Sequence, residues 1–246
     1  AHPTPPPSFS WPIRIGWRLF HLTYLPQRLM LNGADAVATV SLTTKSLIQK
    51  HNLTRKPVFV VYNAGSGHSA KVHESPTKSL VYMGSYMDYK NVECLVDAMA
   101  SLQEYELHLL SKISESRKQE LIDRAGLAKK RVVFHNGVSD HEYHEILSKA
   151  FALVSASRDE GFGIPVVEAM EQGTPVIVSD IEIFREIGGN AASYFDPAKP
   201  GELVDRIRAL EDQDAWQIVS QLCKAQSAQF NWDNSADALL RELTNL

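Results

Sequence analysis

Short apolar runs separated by longer amphipathic stretches set the rhythm of this chain. Ser79–Met83, Tyr105–Leu110, Arg131–His135, Phe151–Val154 and Val176–Val178 are too short for helices and are bounded by polar loops. They predict buried strands, with Ala191–Phe195 as a last short one. Between them the period changes to that of a helix. Val92, Leu95, Val96, Met99 and Leu102 fall on one face of a helix expected over Asn91–Leu102. Helices are also predicted over Glu115–Ala125 and Asp140–Ala150, and from Pro165 to a stop at Gly173, with Val166, Val167 and Met170 on the inner face. Pro200 opens a further helix with Leu203, Ile207 and Leu210 in register, and Asp214–Gln229 follows as another. Strands alternating with helices predict an α/β fold built on a parallel sheet.

The first quarter is organised separately. Ala34–Val40 and Lys56–Tyr62 read as strands, with a helix capped by Ser41 running to about Lys50 between them. Ala1–Ser10 is Pro-rich (Pro3, Pro5, Pro6, Pro7) and predicts an extended arm. Trp11–Arg28 mixes Trp11, Trp17, Phe20 and Tyr24 with Arg14, Arg18 and Arg28. Such a segment fits either a helix packed on a neighbouring domain, the preferred reading, or one lying on an anionic membrane surface. Residues 65–78 are polar and without apolar period, which predicts a linker between domains. At the other end, Trp232, Ala236, Leu239, Leu240 and Leu243 form the stripe of a closing amphipathic helix.

Composition narrows the classes. The 246 residues carry 25 Lys and Arg against 29 Asp and Glu, a formal charge of −4, which disfavours general nucleic-acid binding. No apolar run is long enough to span a bilayer. Cys94 and Cys223, the two cysteines, both fall in helical stretches without metal or disulfide spacing, so a reducing compartment is expected. Asn52-Leu-Thr54 fits the N-glycosylation pattern, which is too common by chance to count.

The candidate chemistry lies in Ser157–Asp180, a strand–loop–helix–strand unit whose loop sits where parallel sheets bind ligands, at the carboxyl ends of the strands. Glu160 and Glu168 stand eight positions apart. Gly161 and Gly163 let backbone N–H groups approach a ligand, and the helix start behind them favours phosphate. Carboxylates beside bare amides suit a molecule with both hydroxyls and phosphates, such as a nucleotide sugar. Glu160-Gly-Phe-Gly-Ile-Pro-Val-Val-Glu168 resembles the E-x7-E signature of retaining GT-B glycosyltransferases, particularly family 4. The likeness covers Leu80 to the chain end and, more loosely, Ala34–Asn63.

This resemblance implies a Rossmann-like C-terminal domain with helices on both faces of its sheet, preceded by a partial N-terminal α/β domain. The implied boundaries are 1–64 for that remnant, 65–229 for the nucleotide-sugar-binding domain, and 230–246 for a helix crossing back to the first part. It implies no cofactor, with a GDP- or UDP-linked sugar as substrate and a saccharide or glycolipid as acceptor; no paired aspartates stand at a strand end, so no metal is expected. Gly84, Ser85 and Lys90 resemble the family's Gly-Arg…Lys-Gly loop. Lys90 matches the cation on the departing diphosphate, Ser85 stands where Arg is common, and Asn91 replaces a Gly. Glu160 would hydrogen-bond the sugar hydroxyls, the backbone of Phe162, Gly163 and Ile164 would meet sugar and phosphate, and Glu168 would take the ribose diol. His135-Asn-Gly137-Val138 ends a strand where the family's main chain meets the base. Glu160 and Lys90 are thus the expected catalytic residues.

Only the last third of the family's acceptor-side domain has a counterpart here, so either an earlier half or a partner chain is expected to complete the site. A nucleotide-sugar-binding subunit, catalytic only in complex, is the alternative. The family's usual place, bacterial envelope synthesis, implies the cytoplasm or the inner membrane face. Two other classes fit the sequence less well. A glycoside hydrolase using Glu160 and Glu168 would need carboxylates flanking a cleft, whereas both sit on one connection. Gly65-Ser-Gly67-His-Ser-Ala70 follows a strand and fits a dinucleotide fingerprint, but no helical period follows it.

Overall fold

Among the described residues eight strands form where the apolar runs lie, shared between two sheets. The computed structural model of the protein describes residues 10–22, 24–67 and 76–246. The Pro-rich arm, the centre of the expected linker and the last three residues of the Gly65–Ala70 fingerprint lie outside them. The chain divides into two units, Ala1–Tyr62 with Ser235–Leu246, and Asn63–Asn234.

The first unit runs α1 (Trp11–Leu22), α2 (Leu25–Asn32), β1 (Val37–Thr39), α3 (Leu42–Lys50) and β2 (Val58–Val60). β1 and β2 pair in parallel, Val37 opposite Val58. The aromatic segment expected as one element over 11–28 is two helices. Tyr24 takes a left-handed φ of 51° and Pro26 follows in the first turn of α2, so the chain turns there. α1 leaves Trp11, Ile13, Leu19 and Phe20 exposed. α3 begins as expected, with the Ser41 hydroxyl accepting from the Thr44 N–H at 3.0 Å.

The second unit alternates β3 (Ser79–Tyr82), α4 (Val92–Ala98), β4 (Glu106–Leu109), α5 (Glu115–Ala125), β5 (Val132–Phe134), α6 (Asp140–Lys149), β6 (Ala152–Ser155), α7 (Ile164–Gln172), β7 (Val176–Ser179), α8 (Glu182–Gly188), β8 (Ser193–Phe195), α9 (Pro200–Ala209) and α10 (Gln213–Ser227). α11 (Trp232–Thr244) closes the chain. Its Ser235 hydroxyl donates to the Tyr62 carbonyl at 2.6 Å within the first unit. The six strands of the second unit are parallel, in the order β5-β4-β3-β6-β7-β8. This is the parallel α/β fold that the alternation predicts. β3, β6 and β7 are buried along their whole length, which is why they read as unbroken apolar runs and not as alternating ones. Leu107, Leu109, Leu121 and Tyr105 anchor the core, and the Trp216 indole N–H donates to the Phe151 carbonyl at 2.8 Å.

Two local departures have physical causes. The helix expected over Asn91–Leu102 ends at Ala98, because Met99, Ala100, Ser101 and Leu102 each bond three residues back instead of four. Their apolar members stay in the core, so the periodic stripe survives the tighter winding. α8 lacks a start signal in the sequence, its first flanking residue being Ile181 with no side-chain cap; burial of Ile183, Phe184 and Ile187 holds it.

Candidate functional site

The strand order reverses direction between β3 and β6. From β3 the chain proceeds outward through β4 and β5, and from β6 it proceeds the other way through β7 and β8. Loops leaving the carboxyl ends of two such strands diverge and open a crevice. The β3 loop carries Gly84, Ser85 and Lys90, and the β6 loop carries Glu160 to Gly163.

Those loops meet. Lys90 Nζ lies 2.6 Å from Glu160 Oε1, with the two side chains 14% and 15% exposed. The buried Ser157 hydroxyl donates to the same Glu160 oxygen at 2.9 Å. The β6 loop is itself pinned, since the Ser179 hydroxyl on β7 donates to the Ser157 carbonyl. Tyr82, under the β3 loop, donates its hydroxyl to the Ser85 carbonyl at 2.6 Å. Burial, and after it the Glu160 charge, pushes that phenol far above its ordinary pKa, so it stays a donor. A Cβ on Gly84 would come within 2.7 Å of this hydroxyl, so the turn needs glycine.

Asn91 explains its own substitution for glycine. Its φ is 52°, in the left-handed region that Asn tolerates best among residues with a side chain. Buried, it donates from Nδ2 to the carbonyls of Ala156 (3.2 Å) and Pro197 (2.8 Å), tying the β3 loop to the ends of β6 and β8. Arg158 completes the tie. Its guanidinium donates to Asn91 Oδ1 at 2.8 Å, and its N–H donates to the Tyr89 carbonyl at 2.7 Å. A single-turn 3-10 helix, Asp88–Lys90, is thereby held so that it presents Lys90 to Glu160.

α7 stands behind the loop. Gly163 flanks its start with φ 94°, and Pro165 occupies its first turn, one residue later than expected. The Phe162 ring is buried edge-on against Phe230, centroids 5.8 Å apart, so its side chain is packed into the fold. The amides around Gly163 and Ile164 sit where a helix start leaves N–H groups without acceptors in their own helix. Glu168 lies in the second turn of α7, half-buried, and its Oε2 accepts from the Tyr143 hydroxyl of α6 at 2.9 Å. Gly137 (φ 102°) and Val138 follow β5, with β4 between them and β3. The Lys112 side chain lies across Gly137, where a Cβ would meet its Cγ at 2.9 Å, and Ser111 accepts from the Gly84 N–H at 3.1 Å.

The expected residues thus cluster at one end of one sheet, with Lys90 and Glu160 in direct contact. Sequence reasoning missed Ser157, Arg158 and Tyr143. Ser157 and Arg158 adjoin Glu160 and could have been suspected from their place in the loop. Tyr143 gives no local signal, because its partner is 25 residues away on another helix. Cys94 and Cys223 are buried and free. Among the described residues no group of three or more His, Cys, Asp or Glu could hold a metal ion, and no helix is long and apolar enough to cross a membrane.

Residues 68–227 match the family Glycosyl transferases group 1. The O-antigen chain mannosyltransferase RfbU of Salmonella typhimurium is 32% identical over 195 residues, 77% of this chain and 51% of that protein. The serotype-specific mannosyltransferase WbdA of Escherichia coli is 34% identical over 117 residues, 46% of this chain and 14% of its own length. The chain therefore spans about half of the first relative and less of the second. Among solved structures, sucrose-phosphate synthase from Thermosynechococcus elongatus superposes with a TM-score of 0.79 at 22% identity, over 97% of this chain and 64% of that one. Anabaena HepE, solved with UDP and glucose, gives 0.77 at 19% identity, over 100% and 70%. These likenesses identify the fold as that of GT-B glycosyltransferases.

Proposed function

Because the chain belongs to the group 1 glycosyl transferases, we propose that it forms the donor-binding part of a retaining mannosyltransferase of family 4, which takes its sugar from a nucleoside diphosphate. The observation that carries this reading is the Lys90–Glu160 contact above the point where the strand order reverses. In transfer, the bond between the sugar's anomeric carbon and the diphosphate breaks, that carbon bonds to an acceptor hydroxyl oxygen whose proton passes to the departing diphosphate, and negative charge gathers on that phosphate as it leaves. Lys90 is the cation beside it, and the start of α7 adds fixed N–H dipoles. Glu160 accepts from the sugar hydroxyls and Glu168 from the ribose diol. Mannose is favoured because both relatives named above are mannosyltransferases. On the same ground the product belongs to cell-envelope polysaccharide, with a saccharide or lipid-linked acceptor held by residues outside this donor site.

Calorimetric titration of the chain with UDP and GDP, beside Lys90→Ala and Glu168→Ala, tests the proposal. The expected result is saturable binding of one nucleotide, weakened by both substitutions, with GDP favoured if mannose is the sugar. A folded chain that binds neither nucleotide would remove the donor-site reading.

A further inference from the structure

We propose that Tyr143 is a positioning residue that makes the site depend on an intact ribose diol, a role that rests on the donor-site reading of Glu168. A glutamate on a helix surface has three rotatable bonds, and an unrestrained carboxylate would spend its orientation entropy on each ligand it met. Here that freedom is removed in advance. The Tyr143 hydroxyl donates to Glu168 Oε2 at 2.9 Å, bridging α6 to α7. Tyr143 is 5% exposed, so its ring has little room to turn. Burial first, then the Glu168 charge, raises its pKa well above the ordinary phenol value, which keeps the proton on the tyrosine. Tyr143 is therefore a fixed donor that aims the carboxylate without competing for its charge. In this role Tyr143 acts through Glu168.

The test measures affinity for UDP or GDP, whichever the chain binds, against the 2′,3′-dideoxy form of the same nucleotide. Expected for the unaltered chain is tighter binding of the ribonucleotide. Tyr143→Phe, which removes one hydroxyl and keeps the ring, should weaken the ribonucleotide about 3- to 10-fold, the effect of one net hydrogen bond, and leave the dideoxynucleotide unchanged. On a Glu168→Ala background the same substitution should do nothing further. Tyr143→Leu repeats the test should the phenylalanine variant not fold. Equal loss for both nucleotides, a full loss on the Glu168→Ala background, or no loss at all would each overturn the role of Tyr143 while leaving the donor site standing. An unaltered chain that binds neither nucleotide, or both equally, would overturn Glu168's role and this inference with it.

Discussion

Removing Glu160 should strengthen the binding of a bare nucleoside diphosphate, although Glu160 is part of the proposed donor site. Lys90 is held by Glu160 at 2.6 Å, and the Ser157 hydroxyl shares the same oxygen. A diphosphate must draw Lys90 away from that carboxylate before it gains a charge-assisted bond of its own. Two unit charges about 4 Å apart attract by about 4 kcal/mol at an effective dielectric of about 20, and rehydration offsets most of this when they part. A net competition of about 1–2 kcal/mol remains. Glu160→Gln removes the competing charge and keeps the shape, so UDP or GDP should bind about 5- to 30-fold tighter. Lys90→Ala moves the opposite way, losing a bond to a charged group worth about 1.5–3 kcal/mol, or about 10- to 150-fold. For the intact nucleotide sugar, the gain in Glu160→Gln should be offset by loss of the proposed sugar contact, so the preference for nucleotide sugar over nucleotide should fall. Calorimetry with both ligands on both variants reads all four quantities. The same substitution leaves Lys90 mostly buried and unpaired. Complete burial would cost about 3–5 kcal/mol, so with partial hydration a loss of about 1–3 kcal/mol in urea unfolding is expected. If Glu160→Gln weakens the bare diphosphate in step with Lys90→Ala, the exchange of partners is refuted.

Three further outcomes follow from the geometry. Asn91→Ala should cost about 2–4 kcal/mol, through left-handed strain and two carbonyls left without their donor, whereas Asn91→Gly keeps the φ and should cost less; urea midpoints that rank them the other way refute the account. Gly163→Ala must hold φ 94° and bring its methyl to 3.0 Å from Phe184 Cε1, so a loss of about 1–3 kcal/mol is expected, and an unchanged melting temperature would contradict it. His108 has its pKa lowered from 6.5, by burial first and the neighbouring His135 charge second, with Glu106 opposing. The unfolded chain then takes up the proton more readily, so the stability is present above about pH 6.5 and lost as pH falls below it. Urea titrations from about pH 7.5 to about pH 5 should show that slope, and His108→Gln should flatten it.

The chain itself determined the alternation of buried runs and amphipathic stripes, and hence the parallel α/β class. Those signals are local: β3, β6 and β7 are apolar throughout because both faces of a central parallel strand are covered. The Glu160–Glu168 loop was legible for the same reason, since its glycines, its Pro165 and its flanking strands lie within one short stretch. Even the left-handed turn at 91 left a trace in the choice of Asn. Some features had no local trace. α8 is held by the burial of Ile183 and Ile187 and not by a cap, so only packing reveals it. The Lys90–Glu160 contact joins residues 70 positions apart, and Tyr143 reaches Glu168 from a different helix. Strand order decides such meetings. By placing β6 against the free side of β3, the sheet brings the ends of two distant loops to one crevice, and no pattern along the chain encodes which strands become neighbours.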